Sequence, residues 1–129
     1  MKTYRNPPQV SPPTGYTHQI ELTGSERMLI ISGQVGRKLD GTIPEDPIEQ
    51  LKIALENLEH NLQAASMDFS DVVKLTYYLV GEMDTQKRRE IIADKMGEHP
   101  ACSTLVYVAG LASPQFKVEL DAWASHTES

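Results

Sequence analysis

Between Ile48 and Ala65 the apolar residues Ile48, Leu51, Leu55, Leu58, Leu62 and Ala65 recur at alternating steps of three and four. That spacing lays one apolar stripe along an α-helix of roughly five turns. Asp46, Pro47 and Glu49 stand at its start as an N-cap, a first helical residue and a capping-box partner. The period then changes to two. Val73, Leu75, Tyr77 and Leu79 alternate with Lys74, Thr76 and Tyr78, which predicts a strand over residues 71–80. A second helix is expected from Asp84 or Thr85 to about Met96, with Ile91, Ile92 and Met96 facing inward and Gly97 and Pro100 ending it.

Strands are expected on either side of this α-β-α centre. Tyr16 to Leu22 and Met28 to Gln34 read as a hairpin across the turn chemistry of Thr23, Gly24, Ser25 and Glu26. Residues 103–108 and 116–124 read as two more strands. In the last, Phe116, Val118, Leu120 and Ala122 share one face, while Lys117, Glu119, Asp121 and Trp123 share the other. The order β-β-α-β-α-β-β predicts an α+β domain with one mixed sheet and two helices on one face. Residues 1–15 hold half of the eight prolines and predict an extended arm, so the domain itself spans residues 16–126.

Composition narrows the function classes. A chain of 129 residues is long enough for one core without staples, and its one cysteine excludes an internal disulfide. No apolar run approaches a signal peptide or membrane span, so a cytoplasmic protein with no membrane partner is expected. The net charge of −6 argues against nucleic acid, since Lys87, Arg88 and Arg89 form the longest basic cluster and fit the solvated face of a helix. His18, His60 and His126 lack ligand spacing, and no phosphate-binding glycine loop precedes a helix, so no metal site and no nucleotide cofactor are expected.

Four stretches carry a family likeness: Gly15-Tyr16; Ile31-Ser32-Gly33-Gln34; Asp71-Val72-Val73-Lys74-Leu75-Thr76; and Gly97-Glu98-His99-Pro100-Ala101-Cys102-Ser103-Thr104 with the later Val108-Ala109-Gly110-Leu111 and Val118-Glu119-Leu120-Asp121-Ala122. In this order, from Tyr16 to Ala124, the chain resembles the Rid/YjgF family of reactive-intermediate deaminases, some of which carry an endoribonuclease label. The resemblance implies a chorismate-mutase-like fold and a homotrimer whose sheets form a central barrel. Small-molecule substrates would sit in clefts between subunits. It implies cofactor-free hydrolysis of small imines or enamines with release of ammonia.

The resemblance also assigns positions. Glu119 stands at the family's acid, Tyr16 at its tyrosine, and Ser32 and Gly33 in its Ser-Gly-Gln element. Cys102 stands where the family carries an arginine that forks onto the substrate carboxylate. Arg89 stands where typical members carry an asparagine and is the candidate replacement cation. Cys102 itself has three readings: a small filler, a pocket wall suited to a different substrate, or a nucleophile. The functions implied are accordingly a Rid-like hydrolase of altered specificity, a metabolite-binding or regulatory trimer without turnover, and a Cys102-dependent hydrolase. A ribonuclease conflicts with the acidic charge.

Overall fold

Helix α1 runs from Pro47 to Ala64 in the computed structural model, which describes residues 1–128. Asp46 caps it by accepting the Ile48 N–H at 3.1 Å, as the sequence predicts, while Glu49 turns outward and pairs with Lys52 at 3.2 Å. Leu51, Leu55, Leu58 and Leu62 are fully buried. Each stabilises the fold by about 2 kcal/mol through burial of its apolar surface.

Six strands surround the helices: β1 (Lys2–Arg5), β2 (Gln19–Leu22), β3 (Glu26–Val35), β4 (Val72–Leu79), β5 (Cys102–Tyr107) and β6 (Val118–Thr127). The main sheet has the order β3-β6-β4-β5. Its β4–β5 pair is parallel and the other pairs are antiparallel. The parallel pair is connected through α2 (Thr85–Met96), which Asp84 caps through the Lys87 N–H at 3.0 Å. Gly97 ends it at φ 61°, a conformation that glycine adopts without a Cβ penalty.

The predicted alternation of the last strand holds. Val118, Leu120, Ala122 and Ala124 are fully buried, and their cross-strand partners include Leu75, Tyr77 and Leu79 on β4. Together with the leucines of α1 they form the core. Helix α2 buries no residue completely; Ile91, Ile92 and Met96 only lean on that core.

The first hairpin differs from expectation. β2 pairs with β1, Lys2 opposite Leu22 and Arg5 opposite Gln19, and not with β3. β3 pairs instead with β6 along most of its length. The apolar run of β3 needs an apolar partner strand on the same core, and Ala122 and Ala124 supply it opposite Ile31 and Leu29. The turn signals at residues 23–26 reverse the chain without choosing the partner, and Lys2–Arg5 has no apolar alternation to announce a strand. The start of the proline-rich arm is thus ordered as a ribbon beside the main sheet.

Candidate active site

Ser32 and Gly33 lie in an irregular stretch of β3. Ile31 faces Ala122 and Gln34 faces Leu120, so two residues of β3 stand opposite Asp121 alone. Such a bulge re-aims the backbone. Here it brings Gly33 under the side chain of Glu119. A Cβ at residue 33 would lie 1.7 Å from Oε2 of Glu119 and 2.7 Å from its Cδ. The position accepts only glycine unless Glu119 moves. Glu119 itself is half-buried, on the face of β6 that turns away from the helices.

Tyr78 faces Glu119 in the β4–β6 register, yet its hydroxyl donates to Oδ2 of Asp121 at 3.0 Å. That bond is the main reason its pKa is raised, ahead of burial and the charges of Asp121 and Glu119. Its proton is committed to Asp121, and Glu119 keeps an acceptor carboxylate beside the Ser32–Gly33 bulge. Such a carboxylate can position water or exchange a proton with a nitrogen.

Cys102 opens β5 opposite Lys74 and is half-buried. Burial pushes its thiol up; the charge of Lys74 and the Ile20 backbone act the other way but do not outweigh it. A protonated thiol at neutral pH is a weak nucleophile. The neighbouring His99 is engaged elsewhere. Its Nε2 is hydrogen-bonded to the Val72 carbonyl at 2.6 Å, and its ring meets Tyr4 edge-on with centroids 6.3 Å apart.

Arg89 and Tyr16 lie near the same end of β5 as Cys102. Tyr16 meets the ring of His18 edge-on at 5.4 Å, and the Thr17 N–H donates to the Ala101 carbonyl at 3.3 Å. The adjacent Gly15 lines a cavity of about 440 Å³ with Arg89, Tyr77 and Ser103. Strand alternation sends Ser103 to this cavity and Cys102 to the opposite face, where the Lys74 ammonium donates to Thr104 Oγ1 at 2.6 Å.

Within one chain, therefore, Ser32, Gly33 and Glu119 form one group, while Tyr16, Arg89 and Cys102 lie about the start of β5, Arg89 on the helix side of the sheet and Cys102 on the other face. Cys102 is in register with Lys74 and Glu119 with Tyr78. Four residues along and two strands across separate their backbones by on the order of 15 Å.

This geometry and the sequence meet the same set of known proteins. The family described as Endoribonuclease L-PSP matches residues 8–126. The chain belongs to the Rid/YjgF family. TdcF of Escherichia coli, named as a candidate reactive intermediate deaminase, is 30% identical over 128 residues, covering 96% of this chain and 94% of that protein. Mouse 2-iminobutanoate/2-iminopropanoate deaminase is 35% identical over 95 residues, covering 70% of this chain and 64% of that protein. Among solved structures, the Rid-family protein YyfB of Yersinia pestis, whose function is unknown, superposes with a TM-score of 0.81 at 30% identity, covering 95% of this chain and 97% of its own. E. coli TdcF solved with bound serine gives a TM-score of 0.71 at 28% identity, covering 92% and 91%.

Two functional features of this Rid-family chain escape its sequence pattern. Tyr78 holds Asp121, which the alternation of Lys117, Glu119 and Asp121 suggests as one rung of a charge ladder; Lys117 instead reaches the Pro114 carbonyl. Gln50 is fully buried, where a helix stripe of leucines leaves no reason to expect an amide. Its Nε2 donates to the carbonyls of Pro44 and Gln115, and its Oε1 accepts the Lys117 N–H at 2.8 Å. It thereby fixes the strand entry that leads to Glu119. Among the described residues no three His, Cys, Asp or Glu side chains are grouped to hold a metal, and no helix is long and apolar enough to cross a membrane.

Proposed function

We propose that this Rid-family protein is a hydrolase of small imines or enamines that releases ammonia, acting in clefts between the subunits of a homotrimer. The observation that carries the reading is the carboxylate of Glu119 laid over the Gly33 bulge. The deaminase names of TdcF and the mouse relative support it, as does the serine bound to TdcF, a small amino acid.

The chemistry needs positioning more than power. An imine carbon is already electrophilic, so no cofactor is required. Glu119 orients a water and takes its proton as the oxygen adds to the carbon of C=N; a proton goes to nitrogen. The resulting carbinolamine loses its C–N bond as the hydroxyl proton leaves oxygen, and ammonia departs with the carbonyl compound left behind. Both proton movements pass through one carboxylate, which suits a group able to act first as base and then as acid.

The sheet's second face supports assembly. Ile30 (65% exposed) stands beside Trp123 (48% exposed) on the face turned away from the helices, with Val106 further along it. Apolar surface of this kind is covered in an assembly. A trimer would also set the Glu119 group of one copy near the Tyr16 and Cys102 region of another, two groups that one chain keeps apart.

The test is ammonia release from 2-imino acids generated in solution by an amino-acid oxidase. Turnover above the uncatalysed rate, reduced by at least about a hundredfold in Glu119→Gln, is expected. Trimeric protein with no turnover on any imine would overturn the reading. A second reading, a metabolite-binding trimer without turnover, is favoured by Cys102, since a protonated thiol cannot replace a guanidinium fork. Kinetics and calorimetry on Glu119→Ala together separate the two, because a deaminase loses its rate while keeping its ligand, whereas a binder has no rate to lose.

A further inference from the structure

We infer that the cavity of about 440 Å³ between α2 and the β4–β5 pair is a second ligand site, separate from the Glu119 group, and that it takes a small uncharged aromatic molecule with one hydroxyl or N–H group. The inference stands apart from the deaminase reading.

Side-chain size makes the cavity. Arg89, Ile92, Ala93 and Met96 share the face of α2 that looks onto the sheet, and Leu75, Ala101 and Ser103 stand opposite. The small side chains of Ala93, Ala101 and Ser103 leave open the space that larger apolar ones would fill, so α2 buries no residue completely. Floor and rim differ. Leu75, Tyr77 and Ala101 are buried at the floor, whereas Gly15, Arg89 and Ala93 are exposed at the rim. The result is a slot open to solvent on the helix side of the sheet. Glu119, Ile30 and Trp123 belong to the other face.

One polar group points to an occupant. Tyr77 is 6% exposed, and among the described residues its hydroxyl has no hydrogen-bond partner. Every fully enclosed side-chain nitrogen or oxygen among those residues does have one, so this hydroxyl opens into the cavity that Tyr77 lines. Leaving a buried hydroxyl unpaired is unfavourable. Water suits the floor poorly, because a buried water takes about three polar partners and Leu75 and Ala101 supply none. A ligand group that donates to or accepts from Tyr77 satisfies it without filling the floor with water.

The walls set the rest of the ligand. Leu75 and Ile92 are apolar, and the Met96 thioether beside them makes favourable contacts with the edge of an aromatic ring. Arg89 has no carboxylate partner among the described residues, so its flat guanidinium is free at the rim to stack on a ring face. The floor holds no ionised group, and a carboxylate pushed down to Tyr77 would lose its hydration without return. A planar ring bearing one hydroxyl or N–H meets all of these features. A plain hydrocarbon leaves Tyr77 unpaired.

The test is an NMR titration of the whole chain, labelled at its methionine methyl groups, with phenol, indole, benzene and benzoate as probes. The Met96 methyl, identified through Met96→Leu, should shift saturably with phenol and with indole, with a Kd below about 1 mM. Tyr77→Phe keeps the ring and should weaken phenol by about three- to tenfold while leaving benzene unchanged. Ala93→Leu fills the slot from its rim and should weaken phenol and indole by at least about tenfold. Benzoate should bind at least about tenfold more weakly than phenol. Glu119→Gln should bind phenol as the parent does. No saturable Met96 shift with phenol or indole at about 5 mM would overturn the inference. So would unchanged phenol affinity in Tyr77→Phe or in Ala93→Leu, benzoate binding as tight as phenol, or loss of phenol binding in Glu119→Gln.

Discussion

The carboxylate of Glu119 occupies the space that any side chain at residue 33 would need, with Oε2 only 1.7 Å from where a Cβ of Gly33 would stand. The two residues sit on neighbouring strands, β3 and β6, and the bulge at Ser32–Gly33 is what lets them approach. Gly33→Ala must therefore push Glu119 aside. Because the atoms met are the flexible end of a half-buried side chain, the expected outcome is a stability loss of no more than about 1 kcal/mol and a turnover loss larger than that destabilisation explains. Thermal unfolding together with ammonia release at a temperature where the variant is folded checks both parts.

Cys102 should behave as a slow thiol. Its pKa is raised above the ordinary 9.0, burial being the first cause. The fraction of reactive thiolate then keeps growing as pH passes 9, so the iodoacetamide alkylation rate should climb about tenfold per unit from pH 7 to 9 without levelling. Cys102→Ser should retain turnover within about threefold. A plateau in the alkylation rate below pH 8, or loss of turnover in the serine variant, would restore the nucleophile.

Glu26 gives the fold an acid limit. Ser125 and Thr127 hydroxyls, the terminal ammonium and Lys2 surround its carboxylate and lower its pKa from the ordinary 4.5 to about 2, the two hydroxyls contributing most. The folded value lies below the unfolded one. Its stabilisation is complete above pH 4.5 and disappears as pH falls toward 2. Urea unfolding across that window should show a declining stability that is flatter in Glu26→Gln, a variant expected to be about 1–3 kcal/mol less stable at pH 7.

Gln50 should be the most sensitive polar residue of α1. Its removal in Gln50→Ala strips the Lys117 N–H and the Pro44 and Gln115 carbonyls of one shared partner and opens a void beside Gly36, whose own Cβ would lie 2.5 Å from Gln50. A loss on the order of 3 kcal/mol, read as a Tm lower by about 10 °C, is expected.

Periodicity made α1, β4 and β6 readable, because burial on one face repeats within each element; α2, which buries no residue completely, was readable from the Asp84 cap at its start and from Gly97 and Pro100 at its end. The partner of β2 was not readable: Lys2, Thr3, Tyr4 and Arg5 present no repeating face, and pairing is a relationship between distant segments. The same division runs through the site. Alternation alone places Glu119 away from the helices, and the family likeness marks Gly33. That one lies under the other depends on the bulge, which has no signature in a Ser-Gly pair. Arg89 reads both as part of a solvated basic run and, through the family likeness, as a replacement cation; the cavity it lines depends on the gap between α2 and the sheet, which no local pattern announces.

The position of β6 has a consequence for how this protein is made. It is the last of the described strands, but it lies inside the sheet, hydrogen-bonded to β3 on one side and β4 on the other. During synthesis β3, α1 and β4 emerge before the strand that joins β3 to β4, so the main sheet cannot close until Val118–Thr127 has left the ribosome. Its long-range pairings make closure slow relative to helix formation. In the interval the strand edges of β3 and β4 are both open, the kind of exposure that invites pairing with other chains.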